Sequence, residues 1–405
     1  MPTVKFHTLG CKVNQYDTQS IRERFLEQGF REIRGRAKPA DFYLINTCTV
    51  TAVADQKSRG IIRRSIKENP KAKIIVTGCL VKQDNAKLAK LKGVSLIISK
   101  SFFSEGISDF CSHTRAFLKI QDGCDNFCSY CKVPLARGRS RSKHLNDLIK
   151  EANRLSDKGF KEIVLTGICL GAYGRDLSPK IDLVKAIDAL EKIDGILRIR
   201  LSSIEAGDVT EALINKIAKS HKLCRHLHIP IQSGNDQILK KMRRRYTRKF
   251  YLKLIKKIRN KIPEAAITTD CLIGFPGELQ KHFRDTLDLV KRILPLKVHI
   301  FPYSAREGTT AYLEPAFGSL SAKDIKERII SLKNVARSCS QDYQKRFLGR
   351  ALPVLFEGNS KEKKDYWEGY TDNYIKVLFK SRRILKNKLV CVKLESIIGD
   401  YVIAA

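Results

Sequence analysis

Three cysteines stand within eight positions of this chain, Cys124, Cys128 and Cys131, in the stretch GCDNFCSYCKV. A cubane iron–sulfur cluster takes four ligands, so three thiolates leave one iron open to a molecule other than protein. Zinc is the main alternative, but it needs a fourth ligand nearby, and Asp122 and Asp125 are poor partners for a soft metal. Three buried structural cysteines are a further alternative. The spacing favours the open cluster, and we call these cysteines the central set.

A second set of cysteines, the N-terminal set, consists of Cys11, Cys48 and Cys79 in TLGCKVNQ, INTCTVT and VTGCLV. Each of them follows a strand-like run and precedes a helical pattern. Because the carboxyl ends of parallel strands meet at one edge of a sheet, these distant thiols can converge on one site. Core cysteines at unrelated positions are the alternative, but they would not occupy three equivalent turns. We therefore expect a second cysteine site.

The chain is strongly basic. Its 405 residues carry 77 Lys and Arg against 42 Asp and Glu, a formal net charge of +35. An excess of this size indicates a polyanionic partner, and nucleic acid is the candidate that we favour. The densest basic run, KKMRRRYTRKFYLKLIKKIRNK, has apolar residues at helical spacing, so for this segment we favour an amphipathic helix over direct RNA contact.

Composition also bears on the cellular compartment. No apolar run approaches the length that spans a bilayer, and the start, MPTVKFHTLGCK, lacks the apolar core of a signal peptide. We therefore expect a cytoplasmic protein without membrane contact, whose 12 cysteines are reduced. His226 and His228 share a predicted strand face and are interpreted as packed in the core. The cysteines outside both sets are interpreted as small buried hydrophobes: Cys111, Cys169, Cys224, Cys271, Cys339 and Cys391.

Three regions of different periodicity must position these side chains. Residues 1–113 alternate strand-like runs with helical patterns, which predicts a doubly wound parallel sheet. Residues 114–340 contain six further strand–helix units, which predicts an incomplete (βα)6 barrel with its active site at the carboxyl ends of the strands. Residues 341–405 alternate apolar and polar positions between turn signals, which predicts a small antiparallel β-barrel. We thus expect an α/β protein of three domains.

The motifs resemble those of a known family. The Cys-x3-Cys-x2-Cys spacing with Tyr130 before the last cysteine resembles the radical S-adenosylmethionine superfamily. Further stretches resemble its methylthiotransferases, over essentially the whole chain: PLARGRSRS, LTGICLGAYG, RLSSIE, HIPIQSGNDQIL, IGFPGE and FPYSAREGT. The resemblance implies an N-terminal methylthiotransferase domain, a radical S-adenosylmethionine barrel and a C-terminal TRAM domain that binds RNA.

The same resemblance implies two 4Fe-4S clusters and S-adenosylmethionine as cofactors. The open iron on the central set would bind S-adenosylmethionine, and one-electron reduction would yield a 5′-deoxyadenosyl radical. The N-terminal set would hold an auxiliary cluster that takes part in sulfur delivery. Residues implied near S-adenosylmethionine are Tyr130, Gly167, Gly171, Ser203, Glu205, Gln232, Gly274, Phe275, Pro276 and Gly277. We take six arginines of two basic runs as RNA contacts: Arg137, Arg139, Arg141, Arg243, Arg244 and Arg245.

Substrate choice depends on one stretch. LGCKVNQYDTQ most resembles the group that methylthiolates C2 of N6-threonylcarbamoyladenosine at position 37 of tRNA, because Lys12 and Val13 follow the cysteine. Modification of N6-isopentenyladenosine in tRNA or of a ribosomal-protein aspartate is the alternative, and a non-enzymatic iron–sulfur RNA-binding protein is a more remote one. The implied partners are the anticodon stem-loop of tRNA, a flavodoxin or ferredoxin as electron donor, and a sulfur source. We expect a monomer.

Overall fold

The computed structural model describes residues 1–35, 38–91, 93–98, 106–110, 113–313 and 320–405. Cys111 lies outside these residues, so its interpretation as a buried thiol stays a prediction. Within the described residues, no helix combines the length and the apolar character that crossing a bilayer requires. Three consecutive regions of different architecture follow one another along the chain.

The first region is the doubly wound sheet that the sequence predicts. Its strands are all parallel to their neighbours and lie in the order β2-β1-β3-β4-β5. The strands are β1 (Thr3–Thr8), β2 (Arg31–Glu32), β3 (Phe42–Thr47), β4 (Lys73–Gly78) and β5 (Val94–Ile97). The helices are α1 (Lys12–Glu27), α2 (Ala52–Glu68) and α3 (Val81–Ala89). The strand order reverses between β1 and β3, and ligands of such sheets bind at the carboxyl ends of the strands there.

The central region is an open barrel of six parallel strands, as predicted. Its strands and a short hairpin are β6 (Arg115–Lys119), β7 (Gln121–Asp122), β8 (Arg141–Ser142), β9 (Glu162–Thr166), β10 (Arg198–Leu201), β11 (His226–His228), β12 (Ala266–Ile273) and β13 (Lys297–Pro302). β6, β9 and β10 form one ladder and β11, β12 and β13 another. Two isolated parallel bridges join the ladders, Ile199–Leu223 and Ser203–His228. Among the described residues, β6 and β13 have no strand on their outer sides, so the barrel stays open.

Helices cover the outside of this central barrel. The helices of the whole region are α4 (Val133–Arg137), α5 (Leu145–Asp157), α6 (Leu183–Glu191), α7 (Glu211–Lys219), α8 (Asp236–Lys241), α9 (Arg248–Lys261), α10 (Gln280–Ile293) and α11 (Thr310–Leu313), of which the short α4 lies against the N-terminal region. Side chains alternate along each strand, so Ile163 and Leu165 of β9 join the apolar core under the helices. Glu162 is the first residue of β9, faces the other way from Ile163 and Leu165, and pairs with arginines of both neighbouring strands. The inner face of the barrel is therefore polar.

A long helix, α12 (Ala322–Lys345), leads to the C-terminal region, which is a closed barrel of five strands. These are β14 (Ala351–Asn359), β15 (Tyr366–Thr371), β16 (Lys376–Lys380), β17 (Leu389–Ile398) and β18 (Tyr401–Ala404). The predicted small barrel is present, and all of its neighbouring strands are antiparallel except β16 and β18, which are parallel. Directions cannot alternate all the way around a ring with an odd number of strands, so one pair must run the same way.

The C-terminal barrel closes one end of the central barrel. We call this end, where the six parallel strands begin, the floor. Arg198 donates hydrogen bonds to the main-chain oxygens of Tyr370 and Pro353, at 2.9 and 2.5 Å. Arg200 donates to two further main-chain oxygens in the same barrel, those of Thr371 and Asp372. The opposite end, which we call the rim, holds the carboxyl ends of the strands.

Candidate functional site: two facing cysteine sets

The central set lies in the loop that follows β6 and β7 at the rim. Gly123 starts this loop with φ +73°, and a Cβ there would lie 1.9 Å from the main-chain oxygen of Arg139. Only glycine allows that approach. The Cys124 amide donates to the Gly138 oxygen at 3.1 Å, and the Cys131 amide donates to the Cys128 oxygen at 3.0 Å. These bonds fold the loop back so that its three thiols share one end of the barrel.

The thiols of the central set are half-buried, and their environments differ. Burial raises the pKa of Cys128, and it raises the pKa of Cys131 to about 12. A hydrogen bond between Cys169 and Cys124 lowers the pKa of Cys124 and raises that of Cys169. Thiolates in such surroundings require a positive group nearby, which a bound metal centre supplies.

The N-terminal set lies at the carboxyl ends of three adjacent strands. Cys11 follows β1, Cys48 follows β3 and Cys79 follows β4, and these strands are neighbours in the sheet. A Cβ on Gly10 would be 3.0 Å from the sulfur of Cys48, so that thiol reaches the loop that carries Cys11. Burial raises the pKa of Cys48, and the nearby Cys79 and Cys11 thiols act in the same direction. The convergence that the strand pattern predicts is present.

The donor chemistry of both sets fits an iron–sulfur cluster better than a single ion. Among the described residues, no group of three or more His, Cys, Asp or Glu side chains is arranged to hold one metal ion. A cubane presents its irons at separate corners and therefore spaces its ligands more widely than one ion does. Each set supplies three thiols and no other ligand type, which matches the three protein ligands that leave one iron of such a cluster open.

A buried arginine joins the two sets. Arg137, at the end of α4, donates two hydrogen bonds to the carboxylate of Asp122, at 2.6 and 2.8 Å. It also donates to Oδ1 of Asn14 at 2.5 Å. The amide of Asn14 donates to the main-chain oxygens of Leu9 and Thr47, at 2.6 and 3.0 Å, which precede the loops of Cys11 and Cys48. Arg137 and Asn14 thus connect the loops of both sets.

Asn14 contacts the third loop of the N-terminal set as well, because the Cys79 thiol lies 3.8 Å from its Oδ1. The sequence analysis missed this residue, although it stands in the quoted TLGCKVNQ. Its position three residues after Cys11, on the first turn of α1, was the available signal. A fully buried amide that contacts all three cysteine loops fixes their relative positions.

Two of the six arginines predicted to contact RNA do not lie at the surface. Arg137 is buried and paired with Asp122, and the side chain of Arg244 is 4% exposed and paired with Glu205. Arg244 also donates to the sulfur of Cys128 at 3.4 Å. The RNA prediction is wrong for these two residues, because their charges are neutralised inside the protein. The remaining four are exposed: Arg139, Arg141, Arg243 and Arg245.

Gln121 organises the loop of the central set and was also missed. Its fully buried side chain donates to the main-chain oxygens of Asp122 and Gly123, at 2.9 and 2.8 Å. Its Oε1 accepts from the Cys169 amide at 2.8 Å. A Cβ on Gly167 would be 2.9 Å from that oxygen, so glycine is needed there for packing. Gly171 is needed for the same reason, because a Cβ added there would lie 2.2 Å from the Cβ of Asp208. Their contact with a cofactor stays a prediction.

The IGFPGE stretch forms a turn below Tyr130. Gly274 and Gly277 adopt φ +78° and +81°, on either side of Phe275 and Pro276. The ring of Phe275 is 1% exposed and meets Tyr130 edge to face at a centroid distance of 6.4 Å. Its side chain therefore supports Tyr130 from inside, and the contact of this turn with a cofactor stays a prediction.

The other residues expected near S-adenosylmethionine lie at strand ends around the rim. Ser203 follows β10 and forms a bridge to His228, and Gln232 forms a bridge to Cys271 with φ +58°. Glu205 is half-buried and ion-paired with Arg244. These positions put all three near the central set, and their contacts with a cofactor stay predictions.

The two histidines lie on the inner face of the central barrel. His226 is buried, and its ring stacks on Tyr374 of the C-terminal barrel at 4.5 Å. His228 lies one layer nearer the rim and meets Asp270 at 3.2 Å. Both rings contact the hydroxyl of Thr268 at 2.9 Å. Core packing is thus confirmed for His226, whereas His228 is half-buried in a polar interior.

Most cysteines outside the two sets are buried, as predicted. The prediction is wrong for Cys391, which is exposed on β17 because the outer face of the small barrel meets solvent. The buried ones are Cys169, Cys224, Cys271 and Cys339.

Comparison with known families agrees with this arrangement. Residues 118–290 match the model of the radical SAM superfamily, and residues 3–99 match that of the uncharacterized protein family UPF0004. A radical S-adenosylmethionine methyltransferase, TsrM, from Kitasatospora setae shares the fold with a TM-score of 0.55 at 12% identity, over 77% of both chains.

Curated relatives resemble the chain over nearly its full length. The threonylcarbamoyladenosine tRNA methylthiotransferase MtaB of Bacillus subtilis is 39% identical, over 97% of this chain and 94% of its own. The protein of that name from Chlamydia pneumoniae is 38% identical, over 99% and 98%. A tRNA-2-methylthio-N(6)-dimethylallyladenosine synthase of Clostridium tetani is 35% identical, over 97% and 93%.

Proposed function

The chain belongs to the radical S-adenosylmethionine methylthiotransferase family, and from this premise we propose that it methylthiolates C2 of N6-threonylcarbamoyladenosine in tRNA. The observation that carries the proposal is the pair of cysteine sets on facing edges, joined through Arg137 and Asn14. A site that must both remove a hydrogen and deliver sulfur needs two centres within reach of one substrate.

In this proposal each cysteine set holds three corners of a 4Fe-4S cluster. When bound, the clusters and S-adenosylmethionine supply hydrogen-atom abstraction, sulfur and a methyl group, which general acid–base chemistry cannot provide at an aromatic C–H. Arg244 places a positive charge beside the sulfur of Cys128 and so favours the thiolate that a cluster requires. Asp122 and Asp17 keep Arg137 and Lys119 charged and in place between the two edges.

RNA would approach the rim and the C-terminal barrel. The four exposed arginines beside the central set supply positive charge at the rim, with Arg139 stacked at 6.0 Å over the exposed ring of Phe127. Phosphate contacts of this kind supply sequence-independent affinity, and exposed aromatic rings offer stacking platforms for unpaired bases. A reduced flavodoxin or ferredoxin as electron donor, and a separate sulfur source, complete the proposed system.

The test uses anaerobically reconstituted enzyme and two synthetic anticodon stem-loops, one with N6-threonylcarbamoyladenosine and one with N6-isopentenyladenosine. We expect mass spectrometry to detect methylthiolated nucleoside from the first substrate. Formation of product from the isopentenyl substrate alone would replace this proposal by that activity, which the Clostridium tetani relative carries in its name.

Alanine variants of the two cysteine sets distinguish the roles of the two proposed clusters. Replacing the central set should abolish both 5′-deoxyadenosine and methylthiolated product, whereas replacing the N-terminal set should leave 5′-deoxyadenosine and remove the product. Each triple variant should lose about half of the bound iron. Cys339→Ala is the control, since that buried thiol belongs to neither set, packs in the apolar core and donates to the Val290 oxygen, so its loss should leave iron and both products unchanged. Full iron with continued methylthiolation in either triple variant would exclude the two-cluster assignment.

A further inference from the structure

Helix α9 has one buried face and one basic face. The buried face packs in the core of the central barrel and consists of Tyr251, Leu254, Ile255 and Ile258. The amphipathic helix that the sequence favours for the densest basic run is therefore present. The outer face carries exposed lysines that this packing does not explain, and we call them the lysine stripe: Lys249, Lys253, Lys256, Lys257 and Lys261.

The lysine stripe has no carboxylate on its own helix. Among the described helices of the central barrel that have nine residues or more, only α9 lacks Asp and Glu. On α10, by contrast, Arg292 meets Asp288 at 2.8 Å. On the stripe, Lys257 meets Glu211 of α7 at 2.7 Å, and the structure describes no ion pair or hydrogen bond for the other lysines. Like charges three or four residues apart on a helix repel one another, and a bound anion relieves this repulsion.

The lysines of the stripe surround a shallow cavity. Its volume is about 380 Å³, and it is lined by Lys253, Lys256, Lys257, Asn260 and Lys261. The lining residues thus offer ammonium groups and one amide. An ammonium is a compact charge with three hydrogen-bond donors on a flexible stem, so a row of them suits a row of phosphates.

The lysine stripe runs from the rim towards the C-terminal barrel. α9 begins four residues after Arg244, whose guanidinium contacts the Cys128 sulfur at 3.4 Å. Beyond the other end, the main-chain oxygen of Glu264 accepts from the Tyr343 hydroxyl at 2.7 Å, and that hydroxyl accepts from Asn373 of the C-terminal barrel at 3.1 Å. A helix of 14 residues spans about 21 Å. The stripe therefore connects the candidate site with the region that the resemblance implies binds RNA.

Exposed arginines continue the basic surface beyond both ends of the stripe. Arg243 and Arg245 lie at the rim end, and Arg346 and Arg350 lie at the end beside the C-terminal barrel. Of these four, Arg350 pairs with Glu264. A polyanion that crosses this wall of the barrel therefore meets positive charge along its whole path.

We infer that the lysine stripe binds backbone phosphates of the RNA that carries the reacting base. This inference rests on the proposed function, which supplies RNA as the partner. An acidic protein, such as the electron donor, is the other polyanion that could meet these lysines. A nucleic-acid backbone fits better, because lysines are depleted from protein–protein interfaces and are regular phosphate contacts.

The first test measures how the affinity for full-length tRNA depends on salt. The stripe variant loses three charges: Lys249→Gln, Lys253→Gln and Lys256→Gln. The control loses the same charge at exposed positions in α5, in α6 and directly after α6: Lys150→Gln, Lys185→Gln and Lys192→Gln. We expect the slope of log affinity against log KCl to fall by about 2 to 3 in the stripe variant alone, because each lost phosphate contact releases one counterion fewer. A slope equal to that of the parent, or an equal fall in the control, overturns the inference.

The second test identifies the molecule that lies on the stripe. The photocrosslinker p-benzoylphenylalanine replaces Asn260, which lines the cavity, and in a control protein it replaces Asn153, which is exposed on α5. Each protein is irradiated with labelled tRNA and with flavodoxin. We expect RNA to crosslink at position 260 and not at position 153. Crosslinking of position 260 to flavodoxin alone, or of RNA to both positions equally, contradicts the inference.

Failure of this inference is distinguishable from failure of the proposed function. If the enzyme methylthiolates the threonylcarbamoyl substrate while the stripe variant keeps the salt slope of the parent, only the role of the stripe is wrong. If product forms from the isopentenyl substrate alone, the proposed substrate is wrong, and the same measurements with that tRNA still test the stripe.

Discussion

At the scale of single residues, Asn14 holds the three loops of the N-terminal set in position. Its one amide group donates to the carbonyls before two cysteine loops and accepts from the thiol of the third and from Arg137. No other side chain type offers two donors and an acceptor in so short a reach. The geometry of the N-terminal set therefore depends on this residue as much as on the cysteines.

We predict that Asn14→Ala loses the N-terminal cluster but keeps the central one. The change removes the hydrogen bonds from Asn14 to the Leu9 and Thr47 oxygens, each worth about 0.5–1.5 kcal/mol, and releases the three loops. Bound iron should fall by about half, while 5′-deoxyadenosine still forms. The control is Asn69→Ala, which removes an amide bond of 3.0 Å to the Ala40 oxygen elsewhere in the same region. Iron retained in Asn14→Ala, or lost equally in the control, would contradict this role.

Both cysteine sets could be predicted from the sequence, because the pattern that identifies each of them is local. The central set has its spacing, and each member of the N-terminal set follows a strand. The prediction of RNA contact was wrong for Arg137 and Arg244, because the sequence of a basic run does not tell whether its side chains pair with RNA phosphates or with carboxylates of the protein. Their partners, Asp122 and Glu205, lie 15 and 39 residues away in sequence, and only the folded chain brings them together.

At the scale of elements, the loop between β16 and β17 is the most basic exposed feature of the C-terminal barrel. Ile384 is 71% exposed at its tip, between two arginines and a lysine that are also exposed. A protruding segment with this composition suits contact with a nucleic-acid backbone, because its charges meet no carboxylate in the described structure.

Replacing Arg382, Arg383 and Lys386 by Gln should weaken tRNA binding and flatten its dependence on salt. Each lost phosphate contact releases one counterion fewer, so the slope of log affinity against log salt should fall by about 2 to 3. Affinity is measured over a range of KCl concentrations. The control carries the same loss of charge on the closed side of the central barrel, as Lys185→Gln, Lys192→Gln and Lys219→Gln. An unchanged slope in the loop variant would show that this loop does not face RNA.

Element type and order were predictable because periodicity is local. The alternation of strand-like and helical segments predicted the parallel sheets, and the alternation of apolar and polar residues predicted the strands of the small barrel. The parallel pair β16–β18 was not predictable from hydrophobic pattern, because alternation along a strand does not encode the direction of its neighbour. Ring closure, which decides it, is a property of the whole barrel.

At the scale of the whole molecule, charged and aromatic groups hold the C-terminal barrel against the floor of the central one. Tyr374 stacks on His226 and lies beneath the guanidinium groups of Arg115 and Arg200, at 5.6 and 4.8 Å. Burial lowers the pKa of His226 well below its usual value, and the charges of Arg200, His228 and Lys12 act in the same direction. The imidazole is therefore neutral in the folded protein.

Mild acid should therefore loosen the C-terminal barrel. Above the unfolded pKa of about 6.5 His226 is neutral in both states, whereas at lower pH only the unfolded chain takes up the proton. Stability is thus lost as pH falls below about 6.5, by up to about 1.4 kcal/mol per unit. The only tryptophan, Trp367, lies in β15 and reports urea unfolding by its fluorescence. His226→Gln should lose less stability than the parent between pH 7.5 and 5.5, and equal losses would contradict the prediction.

The same interface has a consequence for how such a protein can evolve. Arg198 and Arg200 reach across to four oxygens, and all four belong to the main chain. A main-chain oxygen is present whatever side chain the position carries. Mutations at these positions therefore leave the four acceptors in place, so the nucleic-acid surface of the small barrel can diversify while this part of its attachment to the central barrel is kept.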